Sequence, residues 1–351
     1  MFGSYQIRPT TVGDLPELGR FLITGFGAPP DAPHFTEAAL RWKYFEPCGI
    51  QFGPRSYVAR SDGQIVGHIG IAAREFVIHA GADSSTIVPT LHFIDLLGSP
   101  GHPTVGLLLM KRGFQGTDVQ FALGGTSDWR RMAKITGYER RSEFPVLFSI
   151  LRPFYRRRGA GLLEGLIRLP HLGWDLVRSM AYRGGAPQLP LTLRRVDRFG
   201  NEVDTMVRNG PAPLARTTRS SELLNYYLRY PGGPMSGWAF DDGPRQVGFA
   251  VLNIMIERDV RHGKIVECFL ETTDEDLWHA AMTELRRELK RQGADVASCY
   301  ASTGWQERAS RRAGFIPLQQ SQPFFLRDPQ GRLPRDIPFH LTPLEADHAY
   351  I

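Results

Sequence analysis

Residues 94–114, IDLLGSPGHPTVGLLLMKRGF, bring together residue types that can do chemistry. An apolar strand-like run, Phe93-Ile94-Asp95-Leu96-Leu97, stops at Gly98-Ser99-Pro100, and after Gly106 the segment Leu107 to Met110 with two basic residues reads as a helix. Strand, tight loop and helix start together point backbone N–H groups at an anion. Asp95 is an acid inside that apolar strand, where burial would raise its pKa toward a range useful for accepting a proton. His92, three residues earlier and so on the opposite strand face, is a second candidate base, and His68 in VGHIGI a third. For each there is a structural alternative: a strand histidine is often a hydrogen-bonded core residue, and an inward acid can pair a buried cation. Trp42 and Tyr44 in RWKYFEP, with Tyr226 and Tyr230 farther on, can stack on a substrate or form an aromatic core stripe. No Ser-His-Asp arrangement or metal-ligand cluster is visible, so no metal is expected.

Alternating or helically spaced apolar residues define the elements that must position these groups. YQIRPTT alternates as a strand, and VGDLPELGRFLITGF has helical spacing with Asp14 near its start. SYVARSDGQIVGHIGIAAREFVIH reads as a hairpin turning at Ser-Asp-Gly. TLHFIDLLGS is a strand, TVGLLLMKRGF a helix, DVQFALGG a strand, and DWRRMAKITG a helix ending at Gly137.

The chain's 351 residues exceed what one compact core usually fills, so two domains are expected. Apolar residues make up 42% and charged residues 22%, as in ordinary globular proteins. No stretch reaches the ~20 apolar residues of a membrane span. The N-terminus lacks a signal-peptide pattern, and Cys48, Cys268 and Cys299 are odd in number without CxxC spacing; both features suit a cytoplasmic protein. The net charge of +6 would help attract anionic ligands such as CoA or nucleic acid, but such modest basicity is common and decides nothing alone. Arg152, Tyr155 and Arg156-Arg157-Arg158 form the densest basic spot, but no nucleic-acid motif accompanies them, and nucleic acid is not expected as a partner. Nothing in the sequence fixes an oligomeric state.

The chain also echoes itself. ALRWKYFEPCG (39–49) matches LLNYYLRYPGG (223–233), pairing Leu40 with Leu224, Trp42 with Tyr226 and Pro47 with Pro231 at an offset of 184. YVARSDGQIVGHIGI (57–71) matches WAFDDGPRQVGFAVL (238–252), with Val66-Gly67 over Val247-Gly248 at 181. TSDWRRMAKITGYERR (126–141) matches TGWQERASRRAGFIPL (303–318), with Gly137 over Gly314 at 177. Three matches in one order with slowly drifting offsets predict two copies of one fold. The expected division is 1–150, a connector at 151–194 with basic and helical character, a second copy at 195–330, and a tail at 331–351.

The order of elements, with IRPTTVGDLPEL, DGQIVGHIGI, IDLLGSP and GGTSDWRRMAKITGYER, resembles the GNAT superfamily of N-acetyltransferases across most of 5–145, and more faintly across 195–327. The resemblance implies an α/β fold of two tandem domains, each a mixed sheet flanked by helices. It also implies acetyl-CoA or another acyl-CoA as co-substrate, and a small-molecule or peptide amine as acceptor. The family's pyrophosphate loop, Arg or Gln, two residues, Gly, any residue, Gly or Ala, falls on Gly101, Thr104 and Gly106. That makes Leu97, Gly98, Gly101, His102, Thr104, Val105, Gly106, Leu107, Thr126 and Ser127 the expected CoA contacts. One glycine of two is present, the leading residue is absent, and Pro103 offers no N–H.

By the same resemblance, a backbone N–H near Leu97 polarises the thioester, and a base on or near the fourth strand, Asp95 or His92, takes the amine proton. The family's thiolate-protonating Tyr falls on Ala133, and on Ser310 in the second copy, so another hydroxyl, Ser127 or Tyr138, or water must serve if the usual reaction runs. In the second copy Glu271, Asp274, Glu275 and Asp276 occupy the phosphate position. They would repel a di-anion, or simply cap the helix; either way no CoA is expected there. The reading is therefore an acyl-CoA-dependent N-acyltransferase with a catalytic N-terminal copy. The alternatives are a non-catalytic GNAT-derived scaffold and a Fem-like transferase using aminoacyl-tRNA.

Overall fold

The computed structural model describes residues 5–46, 53–81, 84–125, 127–153, 185, 187, 189–212, 214–233, 235–257 and 259–350. The first half runs β1 (Gln6–Pro9), α1 (Leu15–Phe26), α2 (Glu37–Phe45), β2 (Ser56–Ser61), β3 (Gln64–Gly81), β4 (Ser84–Gly98), α3 (Val105–Gly113), β5 (Gln120–Leu123), α4 (Ser127–Ile135) and β6 (Glu139–Ile150). Local chemistry explains the boundaries. Thr11 and Asp14 form a capping box ahead of α1, which ends at Gly27 in the left-handed region. The Thr36 hydroxyl accepts from the Ala39 N–H at the start of α2. Asp62 and Gly63, both at positive φ, turn β2 tightly into β3.

The second half repeats this order as β7 (Thr192–Val196), α5 (Asn201–Arg208), β8 (Leu214–Thr217), α6 (Ser221–Leu228), β9 (Met235–Asp242), β10 (Arg245–Glu257), β11 (Val260–Leu270), α7 (Glu275–Arg291), β12 (Val296–Tyr300), α8 (Gly304–Arg312) and β13 (Ile316–Arg327), with β14 (Phe339–His340) following. Strand β8 has no counterpart among the described residues of the first half. Both hairpins carry a bulge at the matched valine: Val66 between Ile65 and Gly67, and Val247 between Gln246 and Gly248. The segment 154–184, most of the expected connector, lies outside the described residues, as does Cys48.

Among the described residues, the strands of both halves join into one mixed sheet of 14 strands. Its main path is β1-β2-β3-β4-β5-β13-β6-β12-β11-β10-β9-β7. Strand β8 pairs both β3 and β14. The last long strand of each half is exchanged: β13 lies antiparallel to β5, and β6 antiparallel to β12. Cores follow the same interlock. Leu109, Met110, Leu91 and Phe93 pack under α3, while Leu18, Leu22, Leu40 and Ile94 pack under α1 and α2. Trp42 joins Leu224, Tyr226, Tyr230 and Tyr350, and Phe76 and Phe121 join Phe324, Phe339 and Leu341.

That aromatic junction is reciprocal. The Trp42 Nε1–H donates to the Tyr226 carbonyl at 3.1 Å, the Tyr226 hydroxyl donates to the Trp42 carbonyl at 2.8 Å, and the rings stack with centroids 4.2 Å apart. Residues matched by the repeat thus touch each other, as across a two-fold interface. Trp42, Tyr44, Tyr226 and Tyr230 are all buried, the core alternative for this stripe.

Candidate active site

Strands β4 and β5 run parallel but pair only at Leu91 with Gln120 and His92 with Phe121. Beyond those positions the strands part, and the second arm, from Phe93 to Gly98, leads to the glycine loop. There the Ser99 N–H donates to the Val66 carbonyl, His102 to Ser99 at 2.8 Å, and Val105 to His102 at 3.1 Å. Among the described residues nothing accepts from the N–H groups of Gly101, Thr104, Gly106 or Leu107. Thr104 precedes α3, and Gly106 and Leu107 are in its first turn, so these are donors that a helix start leaves for an outside acceptor.

Gly98 permits this geometry, because a Cβ there would lie 2.7 Å from the Val105 side chain. Gly101 is exposed with open space around it, and Thr104 is exposed too. His102 is held edge-on to Tyr5, its Nδ1 3.2 Å from the hydroxyl. Gly106 differs from expectation: it is a buried helix residue, not a loop end, and its Cβ position lies 3.6 Å from Met132 of α4. Thr126 lies outside the described residues, and Ser127 is the first residue of α4. Leu97 lies on the free arm, opposite His68 on β3.

Asp95 is where β4 bends. Ile94 faces Gly70 and Leu97 faces His68, so Asp95 and Leu96 together oppose Ile69 alone, with Asp95 at φ 50°. The bulge overturns the simple alternation: Asp95 shares its face with Ile94 and His92 instead of opposing His92. Its buried carboxylate accepts from Lys43 Nζ at 2.9 Å and the Tyr44 hydroxyl at 2.5 Å, both from α2. Burial pushes this carboxyl up, but the Lys43 charge and the Tyr44 hydrogen bond more than reverse that, leaving it below the ordinary range. The expected upward shift is therefore reversed, by a cation 52 residues earlier in the chain.

The histidines are similarly engaged. His68 bonds Ser56 Oγ at 2.8 Å and the Asp95 carbonyl at 3.0 Å; burial holds it down to about 4 despite the Asp95 charge. His92 sits where β4 and β5 diverge, bonded to the Phe121 carbonyl at 2.9 Å and stacked on its ring, and burial again lowers it to about 4. Ala133 is fully buried, as is the Tyr138 ring, whose hydroxyl has no partner among the described residues. Also among the described residues, no group of three or more His, Cys, Asp or Glu is placed to hold a metal, and no helix is long and apolar enough to cross a membrane.

The second half has the same divergence with different contents. Strands β11 and β12 pair only from His262 to Lys264 and then part. Glu267, in the place of Asp95, is fully buried and bound by Arg219 at 2.7 Å and by the Thr342 hydroxyl at 2.9 Å; Glu345 joins the same guanidinium. At the start of α7, Asp274 Oδ1 accepts from the N–H groups of Asp276 (2.8 Å) and Leu277 (3.0 Å). Glu275 and Asp276 pair Arg308 (2.8 Å) and Arg312 (2.7 Å) of α8, and Glu271 pairs Arg245. The acids cap and clamp this helix start.

Sequence reasoning missed the C-terminal tail. Residues 339–350 start as β14 against β8 and are tied farther on to Asn253 and Lys264 of β10 and β11, with Leu341, Leu344, Ala349 and Tyr350 buried. Glu345, Ala346 and Tyr350 help close a cavity of about 20 Å³ lined also by Trp42, Lys43, Arg55, Arg74 and Tyr226, room for roughly one water. The apolar spacing in IPFHLTPLEADHAYI was the available signal.

No protein-family model matches the sequence, and neither does any curated protein. Solved structures do match the fold. A GCN5-related N-acetyltransferase from Anabaena variabilis aligns with a TM-score of 0.58 at 11% identity, over 92% of this chain and 72% of that one. Saccharomyces cerevisiae N-myristoyltransferase with bound myristoyl-CoA aligns with a TM-score of 0.60 at 13% identity, over 93% of this chain and 83% of that one. An Enterococcus faecalis protein described as a probable N-acyltransferase gives 0.54 at 11% identity, over 92% and 72%. The chain thus shares the GNAT fold of these structures.

Proposed function

We propose that the protein is an acyl-CoA-dependent N-acyltransferase whose N-terminal half binds the thioester. One observation carries this reading: three N–H groups, of Thr104, Gly106 and Leu107, have no acceptor among the described residues at the start of α3, where β4 and β5 part. Pyrophosphate oxygens supply the acceptors, and Gly101 leaves the approach open. The acyl-pantetheine arm then runs between Leu97 and β5, and a β4 N–H near Leu97 polarises the carbonyl. Acetyl-CoA is the donor that the resemblance of the loop implies, and the neighbour holding myristoyl-CoA favours including longer acyl chains. The acceptor is a primary amine of a sugar, metabolite or peptide. Residues 195–330 serve as a partner half without a CoA site.

The test is thiol release from acetyl-CoA and myristoyl-CoA with a panel of such amines, and mass detection of the N-acyl product. Transfer with CoA release is expected. Binding without transfer to any amine would favour the scaffold reading, to which the missing tyrosine at Ala133 points; acyl transfer from aminoacyl-tRNA alone would favour the Fem-like one.

A further inference from the structure

We propose that His348, from the C-terminal tail, is the proton acceptor for the amine, held in place by Tyr300 of β12. This inference rests on the acyltransferase reading and adds a group from the opposite half of the chain. The His348 ring lies beside the residue that ends the β5 arm: its Cε1 is 3.5 Å from where a Cβ on Gly124 (φ 72°) would sit, a point that the Gln322 side chain also approaches, to 2.6 Å. The adjoining Asp347 carboxylate is felt at His92, where the β4 arm begins. Residues 347 and 348 thus lie beside the end of the β5 arm and within electrostatic reach of His92.

The tail is pinned there. Lys264 Nζ donates to the His348 carbonyl at 2.7 Å and Asn253 Nδ2 to the Ala349 carbonyl at 3.0 Å. The Tyr300 hydroxyl occupies Nδ1 of His348, and Asp347 Oδ1 lies 3.9 Å from Nε2, beyond hydrogen-bond distance. With the ring hydrogen on Nδ1, facing the Tyr300 oxygen, the Nε2 lone pair is free. Asp95, His68 and His92 are all buried and committed, whereas the His348 side chain is 25% exposed. Burial and the Lys264 charge favour the neutral ring; Asp347 opposes them, and the balance is downward.

The step balances without a further reactant. The amine nitrogen bonds to the thioester carbonyl carbon, the C–S bond breaks, and sulfur leaves as thiolate. The amine proton passes to Nε2 and from there to the thiolate, restoring the neutral ring. Composite construction also offers a use for the strand exchange, which sets β12, and with it Tyr300, against β6.

The experiment uses the full chain, with water as the acceptor, so that no amine need be known. Calorimetry with acetyl-CoA and myristoyl-CoA gives affinity, and thiol release against pH gives turnover. His348→Gln should lower thiol release by about 100-fold or more, with acyl-CoA affinity within about twofold of the parent. Tyr300→Phe, which leaves the ring in place and serves if His348→Gln does not fold, should shift the inflection of the pH profile. The groups around the imidazole that set this inflection are Tyr300, Asp347, Lys264 and His92. The proposal is overturned if the parent binds acyl-CoA yet releases no thiol, if His348→Gln keeps the parent rate, or if Tyr300→Phe leaves the profile unmoved. Failure of the parent to bind either thioester would instead remove the acyltransferase reading itself.

Discussion

The starts of α3 and α7 are matched positions with opposite electrostatics. At α3 the N–H groups of Thr104, Gly106 and Leu107 have no acceptor among the described residues, and glycines flank them. At α7 the donors bond Asp274, and Glu275 and Asp276 tie the helix to Arg308 and Arg312. The same backbone can offer its donors to a ligand or consume them internally, and a few side chains decide which. A self-capped start stabilises its helix, whereas an open one leaves donors for an anion.

The largest expected effects come from the buried acids beside each divergence. Removing Arg219 leaves Glu267 and Glu345 without a cation, and removing Lys43 leaves Asp95 without one. Arg219→Leu and Lys43→Met should each cost about 3–5 kcal/mol of stability, measured by chemical denaturation. If Lys43→Met costs nothing, Asp95 is not the first half's counterpart of Glu267.

Next comes pH. His68 and His92 are held down to about 4, so the folded chain keeps them neutral while an unfolded histidine protonates near pH 6.5. Below 6.5 the unfolded state binds more protons, so stability should fall as pH drops from 6.5 toward 4, by about 1.4 kcal/mol for each unit of depression. His68→Gln should flatten that slope; an unchanged slope would mean His68 does not cause it.

Smaller changes probe the two helix starts directly. Thr104→Glu places an exposed carboxylate among the free donors. It should lower acyl-CoA affinity tenfold or more, about 1.4 kcal/mol, while leaving the melting temperature unchanged or slightly higher, because an acid suits a helix start. Gly106→Glu is less clean, because Met132 lies beside it. Asp274→Ala in the second half should do the reverse: about 1 kcal/mol of stability lost in denaturation, and no change in acyl-CoA affinity by calorimetry.

How much of this was legible in the sequence depended on range. The hairpin at Asp62-Gly63, the helix end at Gly137 and the strand–loop–helix at 94–114 are local, and glycine, proline and apolar spacing mark them. The matched segments were legible as well, with Trp42 set against Tyr226, although the contact between those two residues was not. The state of Asp95 depended on a bulge and on Lys43, neither encoded within its own strand. Gly106 read as a loop glycine because α4, which covers it, packs from elsewhere. The tail and the exchange of β6 and β13 are long-range pairings that no local pattern specifies, and so Tyr300 and His348 were out of view.

The central claim is that only the first half of the chain offers its helix start to a thioester. Isothermal titration calorimetry of the full chain with acetyl-CoA and with myristoyl-CoA tests it most directly. The account predicts one site per chain, weakened by Thr104→Glu and indifferent to Asp274→Ala; two equivalent sites, or none with either thioester, would contradict it.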